Sequence, residues 1–137
     1  MLANRSIPQS TVIPELGYPD VGEAVAWLCA AFGFTVRLRI ANHRAQLNVG
    51  DGAMVVTQIN PGGKVDGTSS VLVRVENADG HCEHARRHGA LILREPADYP
   101  YGERQYSVQD LAGHRWTFTQ SIADADPRDW GGSPGQL

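Results

Sequence analysis

The chain reads as an α+β domain made of two tandem βαβββ modules, each a small curved mixed sheet with one helix on its outer face. Three observations lead there. The order of elements recurs at a shift of about 60 residues, the mark of a duplicated supersecondary unit. Each half holds one segment with apolar residues at helical spacing, bracketed by runs of two-residue alternation. A Gly- and Pro-containing stretch, Pro61-Gly62-Gly63 to Gly67, separates the halves. The expected organisation is a single domain over 1–137, with a first module at 11–60, a linker at 61–68, a second module at 69–120 and a C-terminal tail at 121–137.

The elements follow in order. Residues 11–16 form a short extended run, and Tyr18-Pro19-Asp20 a turn. Asp20 is placed to cap the next helix, because its carboxylate can accept from the free N–H groups of the first turn. Val21, Ala24, Val25, Leu28 and Phe32 then share one helical face, and Trp27 belongs to the core by the same argument. Gly33 ends that helix, since a left-handed residue closes the last turn most easily when it is glycine. Phe34, Val36, Leu38 and Ile40 alternate against Thr35, Arg37 and Arg39, the period of a half-buried strand. Ala45, Leu47 and Val49 alternate again, Asp51-Gly52 makes a hairpin turn, and 53–59 is the closing strand. In the second half, 69–75 alternates Val71, Val73 and Val75 with Leu72 and Arg74. Asn77 or Asp79 caps a helix running to His88, and Gly89 ends it. Strands follow at 90–95 and 105–109, a turn at Asp110-Leu111-Ala112-Gly113, and a last strand at 114–120. Trp130 is expected to anchor the tail, because an indole gains from leaving water.

Composition narrows the function classes. Hydrophobic residues make up 42% and charged residues 20%, ordinary for a soluble globular protein. A formal charge of -3 argues against a nucleic-acid or membrane-surface role, and suits a cationic or neutral ligand better than a polyanion. Two cysteines, Cys29 and Cys82, both in helical segments, do not make a disulfide framework. Reduced, buried thiols and a cytoplasmic protein are expected. Residues 1–8 lack the apolar run of a secretory signal, and no stretch is long enough to span a bilayer.

Several local patterns, taken together and in order, point to a family. They are Ile13-Pro14, Tyr18-Pro19-Asp20-Val21, Ala24, Trp27-Leu28 and Ala31-Phe32-Gly33-Phe34 in the first half. Gly50-Asp51-Gly52-Ala53 precedes its last strand. The second half adds Arg94-Glu95-Pro96, Tyr101-Gly102-Glu103-Arg104 and Asp110 to Gly113-His114-Arg115-Trp116. Over nearly its whole length the chain resembles the glyoxalase/bleomycin-resistance proteins of the vicinal oxygen chelate superfamily. The resemblance implies paired modules, assembly as a homodimer, and cavities on the concave sheet faces. Enzymes of that superfamily hold a divalent metal on the first and last strands of each module. Counting from the turns, those positions fall on Ile13, Val56, Ser70 and Thr117. A slip of two residues forward gives Glu15, Gln58, Leu72 and Thr119, and two back gives Thr11, Met54, Thr68 and Arg115. None of these sets supplies the converging carboxylates or imidazoles a divalent ion needs. The expectation is a protein with neither metal nor cofactor.

Other chemistry-bearing residues have plainer explanations. His81, His84 and His88 form a stripe on the second helix, expected to border solvent while Ala78, Cys82 and Ala85 are buried. His114 is expected to make local hydrogen bonds at a strand start, and His43 has no evident partner. Tyr101, Glu103 and Arg104 lie in a loop resembling the family's groove rim, where Tyr and Arg could stack on a flat ligand. Trp116 and Phe118 face the helix layer if Thr117 faces the groove.

Strand alternation assigns Ile13, Glu15, Gln46, Asn48, Val56, Gln58, Ser70, Leu72, Arg74, Arg115 and Thr117 to the open face, with Tyr101 and Arg104 at its rim. Apolar surface with a few polar groups is the usual make-up of a small-molecule pocket. The resemblance then implies an antibiotic-binding protein that confers resistance by sequestering a large, partly aromatic natural product between two subunits. A glycopeptide or a DNA-intercalating drug would fit. The competing readings are a dioxygenase, lyase or isomerase with an atypical metal site at Glu15 or Gln58, and a subunit that only stabilises a partner.

Overall fold

In the computed structural model, residues 2–60 and 62–137 are described. Met1, and Pro61 at the start of the expected linker, lie outside them. The first module comprises β1 (Glu15–Tyr18), α1 (Val21–Phe32), β2 (Thr35–Ile40), β3 (Arg44–Val49) and β4 (Gly52–Gln58). The second comprises β5 (Ser70–Arg74), α2 (Ala78–Arg87), β6 (Leu91–Tyr99), β7 (Glu103–Gln109) and β8 (Arg115–Ser121), and a short 3-10 helix (Pro127–Trp130) follows. Each module forms one four-stranded mixed sheet, ordered β1-β4-β3-β2 and β5-β8-β7-β6. The parallel pairs are β1 with β4 and β5 with β8.

Local chemistry sets the helix ends. Asp20 accepts from the Glu23 N–H at 3.0 Å and Asn77 from the Gly80 N–H at 3.0 Å, each satisfying one orphan donor. Gly33 closes α1 at φ 81°, a left-handed conformation that costs other residues more. Some boundaries differ from expectation. The first strand begins at Glu15 and takes in Tyr18, so the turn is confined to Pro19-Asp20. β6 runs on to Tyr99, and β7 starts at Glu103.

The two modules share one core. Tyr18, Leu28, Leu47 and Val56 of the first are buried with Tyr106, Val108, Trp116 and Phe118 of the second. Phe32 is its hub, with ring centroids 5.0 Å from Trp27, 5.7 Å from Phe34, 5.5 Å from Trp116 and 4.9 Å from Phe118. Truncating such a ring to alanine costs about 3–5 kcal/mol. Specific polar bonds also cross between the modules. The Tyr18 hydroxyl donates to Asp110 Oδ2 at 2.6 Å, and His114 Nε2 meets the Gly17 carbonyl at 2.6 Å. Trp27 Nε1 donates to the His88 carbonyl at 2.8 Å. Both sheets turn their helix sides onto this core, so each leaves its opposite face uncovered by a helix.

The histidine stripe borders solvent as expected at His84 and His88, which are exposed, while His81 is half-buried and turned toward α1. His81 sits between the Tyr106 hydroxyl and the Phe32 carbonyl, and His84 Nε2 meets the Ala30 carbonyl at 2.7 Å. Burial pushes the His81 pKa down, opposed by its bond to Phe32. Ala78, Cys82 and Ala85 are buried beside it. Cys82 is fully enclosed and Cys29 half-buried, and burial raises both thiol pKa values.

Candidate ligand-binding faces

Cross-strand partners share a face, so register decides which side chains reach the open sides. In the first sheet Glu15 is level with Val55, Gln46 opposes Val55, Asn48 opposes Ala53 and Arg44 opposes Thr57. Ile13 precedes Glu15 by two residues and lines the same side. Ile13, Glu15, Arg44, Gln46 and Val55 floor a cavity of about 480 Å³ whose wall is completed by Ser6, Ile7 and Thr11. The N-terminal segment is strapped over it by backbone carbonyls. Gln46 Nε2 donates to Ser6 O at 2.9 Å, and Arg37 donates to the carbonyls of Arg5 and Ile7. A bulge between Val36 and Leu38 aims Arg37 this way, where it also donates to Gln46 Oε1 at 2.6 Å. Most polar groups of this face are thus spent on one another. Glu15 pairs with Arg44, and Asn48 donates to Thr35 at 3.1 Å.

The second sheet is different. Its open side is laid out in rows across β5, β8, β7 and β6: Ser70, Arg115, Gln109 and Leu91, then Leu72, Thr117, Ser107 and Arg94, then Arg74, Thr119, Gln105 and Ala97. The middle is a floor of hydroxyls and an amide. Ser107 and Thr117 hydroxyls are 3.1 Å apart, and a relay runs from the Tyr101 hydroxyl to Gln105 (2.9 Å), Thr119 (3.1 Å) and Glu103 (2.6 Å). Burial pushes the Glu103 pKa up, but hydrogen bonds from Thr119 and Ser121 and the field of Arg74 outweigh it, so the carboxylate stays charged. Tyr99 and Tyr101 stack at one end, centroids 5.4 Å apart and nearly parallel, and Trp130 meets Tyr101 edge-on. Trp130 therefore anchors the tail but keeps 42% of its surface exposed. Leu72 and Leu91 stand 63% and 59% exposed.

Three expected site residues sit on the wrong side. Val56 is level with Leu16 and opposes Ala45, and is wholly buried under α1. Gln58 shares that side and donates to the Pro19 carbonyl. Counting from the hairpin turn placed β4 one residue out, and one residue reverses every side chain. Val55 occupies the open position in place of Val56. Arg104 belongs to β7 rather than to a loop and opposes Gln120 on the helix side. There it pairs with Asp79 at 3.0 Å and Asp98 at 2.9 Å, out of reach of the groove. Ile13, Glu15, Gln46 and Asn48 lie on the first open face, and Ser70, Leu72, Arg74, Arg115 and Thr117 on the second, with Tyr101 at its end. The two sets belong to different sheets. Sequence reasoning passed over Tyr99, Arg94 and Gln105, whose positions depend on the greater length of β6 and β7. It also missed a cleft of about 240 Å³ at the seam between modules, lined in part by Val12, Pro14, Met54, Leu72, Arg74 and Trp116.

The donor set does not suit a divalent ion. Ile13 and Val55 offer no ligand atom, Ser70 and Thr117 are poor neutral donors, and Glu15 is already paired with Arg44. Among the described residues no three His, Cys, Asp or Glu side chains converge. Nor, among them, is any helix long and apolar enough to cross a membrane.

Comparison with known proteins places this geometry. The family model of the glyoxalase/bleomycin resistance protein/dioxygenase superfamily matches residues 11–118. TioX from Micromonospora sp. ML1 is similar in structure with a TM-score of 0.69 and 34% identity, covering 85% of this chain and 100% of its own. A glyoxalase/bleomycin resistance protein/dioxygenase from Nocardioides superposes at TM-score 0.64 and 20% identity, over 94% of this chain and 91% of that one. The bleomycin-binding protein of Streptomyces verticillus, solved with copper(II)-bleomycin, superposes at TM-score 0.64 and 21% identity, over 83% of this chain and 98% of that one. A comparison with curated proteins gives no match. The two βαβββ modules are those of the glyoxalase/bleomycin resistance protein/dioxygenase superfamily, and the chain belongs to it.

Proposed function

We propose that the protein binds a large, partly aromatic natural product of the antibiotic type and sequesters it without a metal or cofactor. The observation that carries this reading is the make-up of the second open face. Stacked tyrosines, exposed leucines and a hydroxyl floor lie where a flat molecule can rest, beside positions that offer no metal-binding side chain. The bleomycin-binding structural neighbour lends support, since its fold serves to hold a drug. One chain supplies only one wall to the second open face. A homodimer, in which a second copy provides the opposite wall, suits a large ligand and would bury Leu72 and Leu91.

Calorimetric titration with a panel of glycopeptide and intercalating antibiotics tests this. Metal content is measured on the same untagged preparation. Binding in the micromolar range or tighter, unaffected by chelator, is the expected result. Affinities no better than about millimolar across the panel would overturn the reading. A stoichiometric, protein-ligated metal would favour the enzymatic alternative.

A further inference from the structure

The charge of the second open face opposes that of the whole chain. By register, Arg74, Arg94 and Arg115 lie on it with Glu103. The ion pairs among the described residues engage Arg44, Arg86, Arg104 and Arg128 and none of these three. Arg94 is held by the Tyr99 hydroxyl at 3.0 Å, which sets a guanidinium beside the tyrosine stack. Arg74 feels Glu103 only through space. Glu103 itself is occupied by the Thr119 hydroxyl at 2.6 Å. The first open face offers no such surplus, because Arg44 is matched by Glu15 and Arg37 is consumed by Gln46 and two backbone carbonyls.

We infer that the open face of the second sheet takes an anionic group, a carboxylate or its equivalent, carried by a flat aromatic ligand whose rings lie toward Tyr99 and Tyr101. The inference rests on the ligand-binding reading above and specifies its chemistry. A total charge of -3 points toward cationic ligands. The local field governs instead, because exposed charges beyond about 8–10 Å are screened at physiological salt, while these arginines stand on the face itself, Arg115 with its guanidinium along Gly67 at one edge. Guanidinium groups match carboxylates in geometry, and whichever of Ser107 and Thr117 accepts in their mutual bond keeps a hydroxyl hydrogen to donate.

Three matched probes test it: naphthoate, neutral naphthol and naphthylmethylammonium, titrated against the full chain. Naphthoate is expected to bind about tenfold more tightly than the ammonium probe, with the preference shrinking as sodium chloride is raised. The triple variant R74Q/R94Q/R115Q loses the preference, and the corresponding triple lysine variant keeps most of it. R87Q, on the far side of α2, changes nothing. Circular dichroism confirms that the variants are folded. If naphthol or the ammonium binds and naphthoate does not, or the triple variant retains the preference, the anion inference fails and ligand binding stands. If no probe binds below about millimolar, the anion inference fails, and the antibiotic titration alone decides the ligand-binding reading. Gel filtration is run alongside. Should the triple variant shift the oligomeric state and leave probe preference untouched, the arginines face a second copy instead, and the inference is overturned.

Discussion

Replacing Asp110 should uncouple the two modules more than any other single polar change. Its side chain is 6% exposed and accepts four hydrogen bonds. Oδ2 takes the Tyr18 hydroxyl at 2.6 Å and Trp116 Nε1 at 3.1 Å, while Oδ1 takes the backbone N–H groups of Ala112 and His114, each at 3.0 Å. In Asp110→Asn the remaining oxygen can serve the two backbone donors, and the new amide can donate to Tyr18. Trp116 Nε1 can only donate, so it is left facing an N–H. One buried donor without a partner costs about 1–3 kcal/mol. In Asp110→Ala the indole and the Tyr18 hydroxyl are both orphaned and the turn loses its side-chain acceptor. The expected loss is about 3–5 kcal/mol, a large share of a total stability of roughly 5–15 kcal/mol. Urea unfolding followed by tryptophan fluorescence and circular dichroism reads the effect. A cycle with Tyr18→Phe isolates the contact that spans the modules, with a coupling of about 0.5–3 kcal/mol expected. If Asp110→Asn unfolds within about 0.5 kcal/mol of the parent, the network contributes nothing and the reasoning fails.

Further outcomes follow from other buried groups. His81 has a folded pKa below its ordinary 6.5, so the unfolded chain binds more protons and stability falls as pH drops through about 6.5; the urea midpoint of His81→Gln should lose less between pH 8 and pH 5.5 than the parent does. Gly102→Ala places a Cβ against the Ala123 carbonyl oxygen at φ 81°, and should cost at least about 2 kcal/mol, read as a drop in Tm with loosened Tyr101–Trp130 contact in near-UV circular dichroism. Both thiols carry raised pKa values, so a colorimetric disulfide reagent should react slowly with native protein, Cys29 first, and reach Cys82 only on unfolding.

What could be read from the residues follows the range of the interactions involved. Asp20, Gly33 and Asn77 act on their own helix ends, and each does what its type and position suggest. The alternation of Ala45 with Leu47 marks a half-buried strand without reference to anything distant. Faces were harder. Val56 and Gln58 were assigned by counting from a turn, and Asp51-Gly52 does not fix which residue first leaves the hairpin on the open side. Arg104 reads as a loop residue because the charged pair Glu103-Arg104 hides the start of β7, and its acid partners are 25 and 6 residues away. The solvent border at His84 and His88 follows from the helix pattern, but the inward turn of His81 does not, because that pattern cannot show another helix lying across one end of the stripe. Asp110 reads from sequence as a turn residue alone, since its bond to Tyr18 joins positions 92 apart. The asymmetry between the two open faces depends on the strap formed by residues 5–7, and no periodicity reports where a terminal segment docks.

A crystal structure of the protein with a tightly bound aromatic antibiotic tests the central claim most directly. The account predicts ligand density against Tyr99, Tyr101 and Thr117, with no metal ion between drug and protein side chains. A ligand held through a protein-bound cation, or seated away from both open faces, would contradict it.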